Sequence, residues 1–125
     1  MGLRAKDVVL SSAASDSLED LEARSDPNSA SIARRIRALR PILLSDCLHG
    51  EVVKTDRIPK ALKDRHGVEN LFVEDLPSFW RLLYTIVREH GERYLVVVEI
   101  VAHESMTDGS KGGAASLGSG SLSPF

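Results

Sequence analysis

Residues 58–103 read IPKALKDRHGVENLFVEDLPSFWRLLYTIVREHGERYLVVVEIVAH, and the three apolar blocks at the end of that run decide the fold. In Trp80-Arg81-Leu82-Leu83-Tyr84-Thr85-Ile86 a period of two sets Trp80, Leu82, Tyr84 and Ile86 on one side of a strand and Arg81, Leu83 and Thr85 on the other. One side is made for a core, while the other presents a fixed positive charge. The neighbouring blocks, Asn70 to Leu76 and Tyr94 to His103, have ordinary strand lengths. Pro77-Ser78-Phe79 and Glu89-His90-Gly91-Glu92 are turn signals between the blocks, so an antiparallel meander is expected. The nearly unbroken apolar run YLVVVEIVA marks a central strand covered on both faces.

Upstream, Asp7-Val8-Val9-Leu10 is a short strand candidate, stopped by Ser11-Ser12, either of which can cap a following helix. That helix is expected from Ala13 to about Arg24, with Ala14, Leu18 and Leu21 as a narrow apolar stripe. Ser25-Asp26-Pro27-Asn28-Ser29 reads as the turn that ends it. A second helix follows, with Ile32, Ala33, Ile36, Leu39 and Leu43 on one side; Pro41 inside it predicts a kink or break near Arg40. Asp46 to Gly50 is a loop, Glu51-Val52-Val53-Lys54 a short strand, and Lys60 to Arg65 a brief helical turn stopped by Gly67. Helices first and consecutive strands after is an α+β pattern: two N-terminal helices packed on a mainly antiparallel, four- to five-stranded sheet.

With 125 residues and 42% hydrophobic content the chain has material for one domain, assigned to residues 1–108. Residues 109–125, a Gly/Ser-rich tail, offer no apolar periodicity and are expected to be disordered. The net charge of −2 argues against a nucleic-acid partner, but residues 34–66 carry a local balance of +5 that acidic flanks offset. A basic middle of this kind fits a phosphate-binding patch and equally a solvated helix face. The single cysteine, Cys47, forms no internal disulfide, which makes cytoplasm the expected location; no run suits a signal peptide or a membrane span. His49, His66, His90 and His103 show no zinc spacing, the glycines form no phosphate-cradling loop, and no cofactor is expected.

The runs His66-Gly67-Val68-Glu69-Asn70-Leu71-Phe72 and Asp75-Leu76-Pro77-Ser78-Phe79-Trp80-Arg81-Leu82-Leu83-Tyr84-Thr85, followed by a Val-rich strand ending at His103, resemble the RelE/ParE-like toxins of prokaryotic type II toxin–antitoxin pairs, especially their archaeal-type branch. The likeness spans residues 6–103. It implies a RelE-like fold and an endoribonuclease that cleaves messenger RNA, often at the ribosome, by attack of the RNA's own 2′-hydroxyl. It also implies a cognate antitoxin protein as partner, and no membrane or small-molecule cofactor. Within that resemblance Arg81, together with Lys54 or Arg57, stabilises the phosphate and His103 transfers a proton, Arg81 and His103 being the two catalytic candidates; Lys54, Arg57 and Lys60 are the RNA- and phosphate-binding set, and Lys54, Arg57 and Arg81 are expected to line one basic groove. Relatives usually continue after the histidine with a lysine, a tyrosine and further basic residues. This chain reads His103-Glu104-Ser105-Met106-Thr107-Asp108 instead. That departure keeps two other readings open, a ParE-like inhibitor of DNA gyrase that acts by binding and an inactive relative that serves as a protein-binding module.

Each candidate also has an ordinary structural reading. Arg81 is then a strand arginine paired with Glu74, Asp75 or Glu99 across the sheet. Lys54, Arg57, Lys60, Lys63 and Arg65 are then a solvated face, and His103 makes one backbone hydrogen bond at a strand end. Cys47, two residues from His49, reads as an ordinary buried thiol and not a nucleophile.

Overall fold

A computed structural model describes residues 3–102 and 123–125. The chain begins with strand β1 (Asp7–Leu10) and passes into helices α1 (Ser12–Ala23) and α2 (Pro27–Ser45). Strand β2 (Glu51–Val53), a 3-10 turn at Thr55–Arg57 and helix α3 (Lys60–His66) follow. The meander is β3 (Leu71–Asp75), β4 (Trp80–Glu89) and β5 (Glu92–Ala102), with a 3-10 turn at Pro77–Phe79 between the first two and a two-residue strand β6 (Ser123–Pro124) at the end. The architecture is α+β.

The helix boundaries follow from their caps. Ser11 accepts a hydrogen bond from the Ala14 N–H at 3.1 Å, and its own hydroxyl donates to the Val98 carbonyl at 2.7 Å, so one residue caps α1 and ties it to the sheet. Asp26 accepts from the Ser29 N–H at 2.8 Å, which starts α2 at Pro27, inside the stretch that reads as a turn. Proline suits the first helical position because its missing N–H has no intrahelical role there. Pro41 does not end α2, which runs as one helix to Ser45. Ile36, Leu39 and Leu43 are fully buried on either side of it, and Pro41 faces solvent, where water can satisfy the carbonyl it leaves free.

The strand order is β2-β3-β4-β5-β1-β6. Neighbours in the meander are antiparallel, but β1 pairs in parallel with β5, Val8 opposite Leu95 and Leu10 opposite Val97. The sheet is therefore mixed, which corrects the expectation of a mainly antiparallel one. The reason is a count of reversals: each strand from β2 to β5 runs opposite to the one before it in the chain, so β5, four reversals after β1, returns to its side running the same way. The β4–β5 hairpin closes through His90 and Gly91, both at positive φ (54° and 78°), as a tight two-residue turn requires.

The sheet has two apolar faces. One carries Phe72, Leu82, Tyr84, Leu95, Val97 and Ile100 and packs under α1 and α2. The other carries Leu71, Val73, Leu83, Val96 and Val98 and is covered by Ile58, Leu62 and Val68 from the segment around α3. As its unbroken apolar run predicts, β5 is buried on both sides, with β4 and β1 as neighbours. A bulge leaves Val98 unpaired between the Tyr84–Val97 and Leu83–Glu99 pairs, which shifts the phase so that Ile100 still reaches the α1–α2 side. Of residues 109–125, assigned to a disordered tail, the last three are described: Ser123–Pro124 pair with Leu10 and Val9 of β1, and Phe125 packs on the main core. No described helix is long and apolar enough to cross a membrane.

Candidate functional site

The period of two in β4 places Arg81 on the face opposite α1 and α2, next to the β3–β4 connection. Its partner across the strands is Asp75, and its Nε lies 3.4 Å from the Asp75 carboxylate. The Arg81 side chain is 33% exposed and that of Asp75 82% exposed, so this ion pair is loose and open to water. Asp75, Leu76, Ser78, Phe79, Trp80 and Arg81 together line a cavity of about 450 Å³ at this end of the sheet. A guanidinium at such a rim can hold a phosphate through its planar fork of donors.

Lys54, Arg57 and Lys60 lie elsewhere. Val53 pairs with Leu71, whereas Arg81 pairs with Asp75, so Lys54 is about 17 Å from Arg81 along the strand direction and two strands across. All three are exposed, and Lys60 pairs with Asp64 at 3.3 Å within α3. The middle of this face, which a shared groove would need, is filled instead by Ile58, Leu62 and Val68. His103 lies outside the described residues; β5 delivers its last described residue, Ala102, opposite Trp80.

A polar cluster on the other face escapes a reading of local pattern. Glu74, only 8% exposed in its side chain, meets His49 Nδ1 at 2.5 Å. The loop bearing His49 is held by Tyr84, whose hydroxyl donates to the Cys47 carbonyl and accepts from the Gly50 N–H, both at 2.9 Å. Burial pushes the Tyr84 phenol far above its ordinary pKa, so the hydroxyl keeps the proton it donates. Gly50 is required there: a Cβ would stand 2.9 Å from both the Tyr84 hydroxyl and the Val73 carbonyl oxygen. An imidazole held by a buried carboxylate has a defined orientation, while the Cys47 thiol, two residues earlier in the chain, is buried and its pKa raised by desolvation, which suits packing and not nucleophilic attack. Only a 25-residue separation in sequence joins His49 to Glu74, and no spacing rule announces such a pair.

In comparisons with known proteins, no family model, no curated protein and no solved structure matches this chain.

Proposed function

We propose that this chain is a RelE-like toxin that cleaves messenger RNA, with Arg81 as the residue that stabilises charge on the scissile phosphate. The observation that carries the reading is the setting of Arg81: a strand arginine on the face away from the helical pair, lining a cavity, one-third exposed and 3.4 Å from the exposed Asp75 carboxylate. The Asp75 pairing is the one the ordinary structural reading names, and at this exposure it contributes little, so a phosphate can displace it from the guanidinium. Support also comes from the order of elements, a strand, two helices on one face and then a meander, which is what the resemblance implies.

In this mechanism the RNA's 2′-hydroxyl attacks the adjacent phosphorus, a cyclic phosphate forms, and the 5′-oxygen leaves. The protein removes one proton, neutralises the developing charge and returns a proton to the leaving oxygen. Arg81 serves the phosphate, and His103 is assigned proton transfer. Lys54, Arg57 and Lys60 steer the RNA backbone from the far side of the face and do not share the phosphate held by Arg81. The cognate antitoxin is the expected protein partner.

The test is RNA cleavage by the purified chain, with and without ribosomes, beside its Arg81→Ala variant. Cleavage should fall by roughly a hundredfold or more on losing one pre-organised donor, while stability changes by no more than about 0.5 kcal/mol. A chain that leaves RNA intact in both conditions and inhibits DNA supercoiling instead is a gyrase-binding relative. Wild-type cleavage by Arg81→Ala removes Arg81 from the mechanism.

A further inference from the structure

The connection between β3 and β4 holds an aromatic ring away from the protein. Leu76 is buried and its N–H donates to the Trp80 carbonyl at 2.8 Å, which closes the loop tightly. Between these two residues Ser78 and Phe79 both adopt positive φ, 62° and 65°. Left-handed backbone is sterically disfavoured for any residue with a Cβ, and two in succession need support from outside the turn. Pro77 supplies part of it by fixing its own φ, and the Ser78 hydroxyl supplies the rest by hydrogen bonding the Asn28 side chain in the first turn of α2. The outcome is that Phe79 is 85% exposed, more than any other large hydrophobic residue described. Folding alone has no use for this geometry, because it places a phenyl ring in water at the expense of backbone strain.

What stands beside the ring gives it a use. Phe79, Trp80, Arg81 and Asp75 line the same cavity of about 450 Å³, within the size range of small-ligand sites. We infer that this cavity takes one nucleotide of single-stranded RNA. The base stacks on Phe79 next to Trp80, its phosphate engages Arg81, and the Asp75 carboxylate accepts a hydrogen bond from an exocyclic amino group of the base. The assignment rests on the RNA-cleaving reading above and adds to it the residue that seats the base. An aromatic face set against a guanidinium and an acceptor matches the parts of a nucleotide. An apolar side chain of a protein partner uses only the ring.

The experiment titrates a fluorescein-labelled single-stranded RNA of mixed sequence, about twelve nucleotides long, with the full-length chain and its Phe79→Ala and Phe79→Tyr variants. Phe79→Ala should weaken binding roughly ten- to hundredfold, as loss of one stacking partner does, and Phe79→Tyr should restore it. Trp80 is the chain's one tryptophan, so its emission should be quenched by RNA in the wild type and much less so in Phe79→Ala. Circular dichroism and melting of each variant establish that it is folded. Equal RNA affinity of wild type and Phe79→Ala overturns the base-stacking site while leaving the proposed cleavage intact, provided Arg81→Ala still abolishes it. RNA binding that depends on Phe79 without any cleavage leaves the site standing and removes the enzymatic reading. No RNA binding by the wild type removes the base-stacking site and leaves the cleavage reading to the assay with ribosomes, and a Phe79→Ala variant that keeps RNA but loses a co-purifying protein makes the ring a protein contact.

Discussion

Replacing Tyr84 by Phe tests the polar anchor of this fold apart from its packing. The ring of Tyr84 is fully buried and stacks on Phe72 with centroids 5.2 Å apart and planes 9° from parallel; phenylalanine keeps all of that. Only the hydroxyl is lost, and with it the bonds to the Cys47 carbonyl and the Gly50 N–H. Cys47 is fully buried, so its carbonyl is left without a partner, at about 1–2 kcal/mol. Gly50 is partly exposed and its N–H can turn to water, so that loss is smaller, about 0.5–1 kcal/mol. The sum is about 1.5–3 kcal/mol. With about 0.2 kcal/mol/K of unfolding entropy for about 100 ordered residues, Tm should drop by about 8–15 °C. Thermal melting measures the shift, and amide exchange at Gly50 should quicken well beyond the change seen in β5. A Tyr84→Phe protein that melts within about 2 °C of wild type refutes the argument that this hydroxyl carries the loop.

Phe79→Gly should raise stability by about 1 kcal/mol, because glycine accepts the left-handed backbone and the exposed ring contributes little packing; chemical denaturation reads the difference, and destabilisation contradicts the strain argument. Phe125→Ala should lower stability by about 1 kcal/mol if the last residues dock on the core as β6 and Phe125 do here, and an unchanged denaturation midpoint counts against that docking. Two carboxylates should make the helical pair acid-sensitive. Hydrogen bonds from the Ser29 backbone and side chain lower the pKa of Asp26, and the hydrogen bond from Arg37 lowers that of Glu22. Both contributions are fully present above the unfolded carboxyl values near about pH 4 and vanish as pH falls through the lower folded values. Asp26→Asn, which still caps α2, should therefore lose less stability than wild type over that acid range, and parallel pH profiles for the two proteins argue against the linkage.

Much of the secondary structure is legible in the chain because its signals are local. Ser11 before Ala14, Leu18 and Leu21 announces α1, and alternation from Trp80 to Ile86 assigns the two faces of β4 correctly. The start of α2 is less legible, since Asp26-Pro27 reads both as a turn and as a cap followed by its preferred first residue. Nothing local states which way β1 runs against β5; that depends on how many times the intervening chain reverses. The same limit governs the candidate site. The resemblance groups Lys54, Arg57 and Lys60 with Arg81, but strand register separates Lys54 from Arg81 by half the length of the sheet, and the apolar side chains of the α3 segment occupy the space between.

By itself the amino-acid sequence determined that this protein is a small α+β domain with paired helices ahead of a meander, and that Arg81 faces away from the Trp80 and Tyr84 side. Side-chain periodicity and capping chemistry act over a few residues, so one chain read in order contains them. Only the tertiary structure decided the mixed sheet, that the segment around α3 is what covers its second face, the His49–Glu74 contact and the display of Phe79 beside Arg81. Those features arise from contacts between distant segments and from backbone strain that such contacts sustain, and neither is written in the pattern of neighbouring residues.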